Sequence, residues 1–193
     1  MVKEKNLYIT DFIKPLWNFK ILKEKYKISE LILYNLILLL VATIINTIAN
    51  SKSSSSDLSI VQALISNLLG LPILLLILFT PLFILMKAFT DQNNKWFKTY
   101  LEFTAITLPF LIVSYSINLI QLLLQSQAIW IISAIIIAIM WLVYFFILSM
   151  NMKNIFNTDI YKPLASLIIC LLIYAMVTII VYLYFLLLQL SQF

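Results

Sequence analysis

Between Glu102 and Lys153 the chain reads FTAITLPFLIVSYSINLIQLLLQSQAIWIISAIIIAIMWLVYFFILSMNM, 50 residues without a charge. A helix rises about 1.5 Å per residue and a bilayer's hydrocarbon core is about 30 Å thick, so about 20 apolar residues cross once. Fifty is too many for a single crossing. Gln121, Gln125, Ser126 and Gln127 form a polar midpoint. The run therefore divides into a third span at about 100–124 and a fourth at about 128–150.

The charges divide the flanking chain in the same way. Nothing is charged between Glu30 and Lys52, which marks the first span at 31–50. Asp57 and Lys87 enclose a second uncharged stretch, 58–87, interrupted by Gly70, Pro72 and Pro81. It reads either as one long kinked helix or as an interfacial helix followed by a tilted span, since proline removes a backbone hydrogen bond. Ser51 to Ser56 reads as a polar loop, with Asp57 placed to cap the helix after it. The fifth span runs over 163–189, after the last charge at Lys162. The expected fold is thus an all-α, polytopic helix bundle with five transmembrane helices over 31–190, preceded by a basic segment, 1–30.

Composition agrees. Of 193 residues, 63% are hydrophobic and 11% charged, and mean hydropathy is +1.04. Soluble domains average about 45–50% apolar and about 25% charged. A short soluble chain leaves too much of its surface wet to hide so much apolar side chain. There is no His, one Cys (Cys170) and one Gly (Gly70). Disulfide frameworks, Cys/His zinc sites, Ser-His-Asp triads and Gly-rich phosphate loops all lack their parts. The predicted span cores hold no ionisable group of the kind that marks proton relays or intramembrane proteolysis. No catalytic residue, metal, cofactor or nucleic-acid partner is expected.

Lysine placement sets the expected orientation. Every basic residue is Lys, and seven of the 13 precede the first span. Lys87, Lys95 and Lys98 lie between spans two and three, and Lys153 and Lys162 between four and five, leaving only Lys52 on the other side. This bias places the N-terminus in the cytoplasm and the C-terminus outside. No cleavable signal peptide is expected, because the first 30 residues contain no apolar core. Lys in place of Arg, with much Ile and Asn, hints at an AT-rich bacterial genome and hence at a bacterial plasma membrane.

Two groups of residues are candidate functional surfaces. The first is cytoplasmic. Ile9, Phe12, Ile13, Leu16 and Phe19 recur at helical spacing beside Lys14, Trp17, Lys20 and Lys23, and Lys95, Trp96 and Lys98 lie in the second cytoplasmic loop. Lysines interleaved with aromatics suit an anionic inner leaflet or a docking partner. The plainer reading is interfacial anchoring.

The second group is intramembrane. Uncharged polar residues recur at steps of three, four or seven along four spans, so each set shares a helix face. Asn46 belongs to one stripe, Ser114, Asn118 and Gln121 to another, Trp141 and Tyr144 to a third, and Tyr174 and Thr178 to a fourth. Such stripes either glue helices together or surround a polar cavity, and glue is the commoner use. Pro72 and Pro109 fall inside spans, where broken helices mark substrate sites in some transporters and are plain kinks elsewhere.

The stretch KTYLEFTAITLPFL from Lys98 to Leu111, with Pro109 near its end, resembles an aromatic, small and Pro pattern in the third span of Yip1-domain membrane proteins. Trp141 with the apolar run to Asn151, and Tyr161-Lys-Pro163-Leu-Ala165, resemble that family's fourth-to-fifth linkage. The resemblance covers about residues 10–190. It departs in glycine, which that family's spans usually contain. It implies a non-enzymatic membrane adaptor or assembly subunit that binds another membrane or peripheral protein, and implies no catalytic residue. A membrane component of a transporter, or an immunity protein against a membrane-active peptide, are the alternatives.

Overall fold

The computed structural model describes residues 27–53, 60–90 and 95–190. Five helices make up almost all of it: α1 (Ile28–Ser53), α2 (Ile60–Phe89), α3 (Trp96–Leu124), α4 (Gln127–Ile155) and α5 (Tyr161–Leu190). Each is long and apolar enough to cross a membrane, so the chain has the architecture of a multi-pass membrane protein. Lipid-facing backbone has no water to bond, and the helix is the local solution that satisfies it.

Two helix ends differ from expectation and one open alternative is resolved. α1 continues through Ser51 to Ser53, where a loop is expected, with the Ser51 hydroxyl bonded to the Ile48 carbonyl at 2.8 Å. The second segment is one helix and not an interfacial helix plus a span. α2 runs unbroken through Gly70, Pro72 and Pro81. At 30 residues it is about 45 Å long, well over the hydrocarbon thickness, and length of that order is accommodated by tilt. α3 starts at Trp96 rather than near 100. The cap expected at Asp57 lies outside the described residues.

The turns use the polar residues that interrupt the apolar runs. α3 closes on Gln125, in the left-handed region at φ 44°, whose N–H bonds the Gln121 carbonyl. Asn157 ends α4 at φ 43°. Thr158 N–H reaches the Lys153 carbonyl and Asn157 N–H the Asn154 carbonyl. That is a Schellman closure with asparagine in the position glycine usually fills, in a chain that holds a single glycine.

α3 is the hub. It packs on α1, α4 and α2, while α5 lies outside, against α2 and α4. Every residue from Phe103 to Phe110 is buried. The α1–α3 seam is the most extensive. Small buried residues on α1, among them Ala42, Thr43, Thr47 and Ala49, let neighbouring helices approach closely where GxxxG packing is ruled out by composition; Thr47 faces α2, where it accepts from Asn67. The N-terminal ends of α1, α3 and α5 meet the C-terminal ends of α2 and α4, as the Asn35–Leu101, Phe83–Phe156 and Lys162–Phe89 contacts show. Lys27, Lys87, Lys95, Lys98, Lys153 and Lys162 therefore all lie toward one end of the bundle.

Near that end Phe79 of α2 is fully buried and touches four rings: Phe83, Trp96, Tyr100 and Phe103, at centroid distances of 5.3–5.8 Å. In lipid a core side chain gains little from leaving water, so its contribution comes from contact with neighbours. Phe79→Ala is expected to destabilise the bundle by about 3 kcal/mol. Ile73→Ala, at a residue 57% exposed, is expected to change stability by less than about 0.5 kcal/mol. Reversible unfolding in mixed micelles measures both.

Candidate functional site

The polar stripes resolve into three separate interhelical contacts. The first joins α1 to α2. Asn46 Nδ2 donates to Asn67 Oδ1 at 3.2 Å, and Asn67 Nδ2 donates to Thr47 Oγ1 at 3.0 Å. The second joins α3 to α4. Thr107 Oγ1 donates to the Phe103 carbonyl at 2.8 Å, which uses its one proton, so the Tyr144 hydroxyl donates to Thr107 Oγ1 across 3.0 Å. Tyr144 is buried and packed edge-on against Trp141, 5.2 Å between centroids.

The third contact joins α5 to α2. Pro81 has no N–H, so the carbonyl of Ile77, one turn before it, lacks its helical donor. The Tyr174 hydroxyl lies 2.8 Å from that carbonyl and 3.1 Å from the Leu78 carbonyl. A freed carbonyl in lipid must find a donor within protein, and Tyr174 brings one from another helix. α2 also receives Tyr100, whose hydroxyl donates to the Pro72 carbonyl at 3.2 Å.

The remaining candidates do not join these contacts. Ser114 and Gln121 are buried on α3 and Asn118 is half-buried. Thr178 is exposed and returns its hydroxyl proton to the Tyr174 carbonyl at 2.8 Å. Thus Asn46, Tyr144 and Tyr174 tie three different helix pairs. A cleft between α1, α2 and α3 is lined in part by Asn35, Tyr100 and Thr104, of which Asn35 and Thr104 lie on the polar stripes of the first and third spans. Asn67 is the residue that stripe reasoning passed over; Gln62 and Ser66 precede it in the second uncharged stretch, where no stripe is drawn.

At the lysine-bearing end, Lys95 is exposed just before α3, Lys98 is half-buried, and Trp96 stacks on Tyr100 at 5.6 Å with an interplanar angle of 7°. Lys14, Trp17, Lys20 and Lys23 lie outside the described residues. Lys162 was not singled out by sequence, yet its Nζ donates to the Phe89 carbonyl at 2.9 Å. That sets a cation on the C-terminal end of α2, the favourable end of the helix dipole.

No protein-family model, curated protein or solved structure matches the chain.

Interhelical hydrogen bonds in membranes contribute about 0.6 kcal/mol on average. Tyr144→Phe combined with Thr107→Val is expected to show a coupling of that order in a double-mutant cycle of unfolding. Tyr174→Phe is expected to destabilise the protein with Pro81 present. Its cost should fall once Pro81→Ala restores the N–H that Ile77 lacks, and an unchanged cost would refute the carbonyl-rescue role.

Proposed function

We propose that this chain is a non-enzymatic adaptor or assembly subunit of a bacterial plasma membrane, with the N-terminus in the cytoplasm and the C-terminus outside. In this reading it holds a protein partner through α5, and it is a bacterial member of the Yip1-domain family. The observation that carries the reading is the exposure of α5. From Leu171 to Phe185 every side chain but Tyr174 is exposed, on all sides of the helix. In the most apolar 18 residues of α5, 17% are buried within the chain, against 22% for α4 and 39% for α1 and α3.

The polar stripe of α5 gives that exposure a direction. Its first part, Ser166 and Cys170, is buried in the bundle, and Tyr174 bonds α2. Beyond Tyr174 the same face continues through Thr178 to Tyr182, which is 67% exposed. Apolar side chains alone give helices little reason to associate in lipid, whereas polar side chains act as glue. A face that serves as glue in its first half is suited to the same service toward a second protein in its outer half. The lysine-bearing end, with Trp96 at its edge, supports contact with the anionic inner leaflet.

Two measurements test this reading. In a Cys170→Ser background, a cysteine at position 55 should react with an impermeant maleimide in intact cells, and one at 93 only after the cells are opened. A photocrosslinking amino acid at Tyr182, in the full chain in its own membrane, should give one discrete protein adduct. The same group at Ile135 of α4, 55% exposed, should give lipid adducts alone. Lipid adducts alone at both positions would overturn the adaptor reading.

A further inference from the structure

We infer that the seam between α3 and α4 holds a water-binding recess, entered from the α3–α4 turn and lined by Ser114, Asn118, Gln121 and Ser133. The two helices run antiparallel from a short turn at Gln125 and Ser126. Thr107 and Tyr144, whose hydroxyls lie 3.0 Å apart, are equally far from that turn, and so are Asn118 and Ser133. Ser114, Asn118 and Gln121 follow Thr107 at successive steps of seven, four and three residues, and Ser133 precedes Tyr144 by eleven. Such spacings return to the same helix face. All four side chains therefore lie on the faces that Thr107 and Tyr144 turn toward each other.

These groups are unpaired and still reachable. Ser114, Gln121 and Ser133 are 8%, 5% and 5% exposed, and Asn118 is half-buried. Among the described residues none of the four side chains has a hydrogen-bond partner. Other serines of these spans return their proton to their own helix, as Ser116, Ser149 and Ser166 do at 2.7–2.9 Å. Ser114 and Ser133 do not. Their polar atoms also keep some open surface. The unpartnered atoms that are closed off completely lie elsewhere, Asn35 Oδ1 and Thr43 Oγ1 on α1 among them. The seam is thus latched by one hydrogen bond at Tyr144 and carries four unused polar groups between that latch and the turn.

Chemistry and size select the ligand. Nothing is charged between Glu102 and Lys153, so the recess does not attract an ion. Acyl chains offer no hydrogen bonds, and a lipid headgroup is too bulky for groups this deeply buried. Two hydroxyls and two carboxamides present donors and acceptors together, and a buried water is held by two to four such partners. Gln121 lies three residues before the end of α3, about 5 Å by helical rise, within reach of bulk water at that end of the bundle. Ser114, ten residues before the end, sets the depth at about 15 Å. Beyond it the Tyr144–Thr107 pair closes the path. The recess shares no residue with the α5 surface, so it stands or falls separately from the adaptor reading.

The test uses the full chain carrying Cys170→Ser in phosphatidylcholine nanodiscs, with 2-aminoethyl methanethiosulfonate as the probe. The reagent attacks thiolate, which forms where water reaches the sulfur. Ser133→Cys exchanges one small hydroxyl for a thiol and keeps the packing. It is expected to react about tenfold or more faster than Ile135→Cys, two residues along α4 at a position 55% exposed on the bundle surface. Gln121→Leu sets an apolar side chain at the entrance and should slow the reaction of Ser133→Cys to the rate of Ile135→Cys. Equal rates for Ser133→Cys and Ile135→Cys would overturn the recess. A Ser133→Cys rate that Gln121→Leu leaves unchanged would overturn its entry from the turn.

Discussion

Hydrocarbon offers no hydrogen bonds, and most of this structure follows from that constraint. Every carbonyl and N–H within the spans must be satisfied by protein, which makes helices of the apolar runs and gives value to each polar side chain among them. The contact of Tyr174 with the Ile77 carbonyl is the clearest instance. Proline opens a gap in one helix, and a hydroxyl from a helix nearly a hundred residues later fills it. Thr107, Thr104, Ser166 and Thr178 follow the same rule locally by returning their protons to carbonyls three or four residues back.

Packing meets a second constraint, the near absence of glycine. Helices in membranes associate through close contact and a few hydrogen bonds rather than through expulsion of water. Here α1 buries alanine and threonine against its neighbours, and the faces of α2 and α3 near the lysine-bearing end meet through aromatic rings around Phe79. Gly70 serves no close approach, since a side-chain carbon there would meet nothing within 4 Å. Ala134 and Ala138, the small pair one turn apart on α4, are exposed and do not contribute to the internal seams.

The outer half of α5 and the α1–α2–α3 cleft differ in kind. Beyond Tyr174 the side chains of α5 through Phe185 are exposed, and apolar but for Thr178, Tyr182 and Tyr184. The cleft is concave and lined mainly by apolar side chains.

Span number and position were legible because hydropathy and length act along one dimension. Charges bracket each run, a bilayer sets its length, and the glutamines at 121, 125 and 127 announce the tightest turn. The stripes were legible as faces, since helical spacing places Tyr174 beside Thr178 whatever surrounds them. Their partners were not. Asn67 for Asn46, Thr107 for Tyr144 and the Ile77 carbonyl for Tyr174 depend on how each helix rotates and tilts against its neighbours. Helices that are apolar on every side carry little signal of that rotation, because lipid solvates one apolar face as well as another. The sequence by itself thus determined how often the chain crosses and where. Tertiary structure alone decided which polar groups meet, which helix stands free and where an acceptor remains without a donor, because those outcomes arise from shape and contact between distant segments.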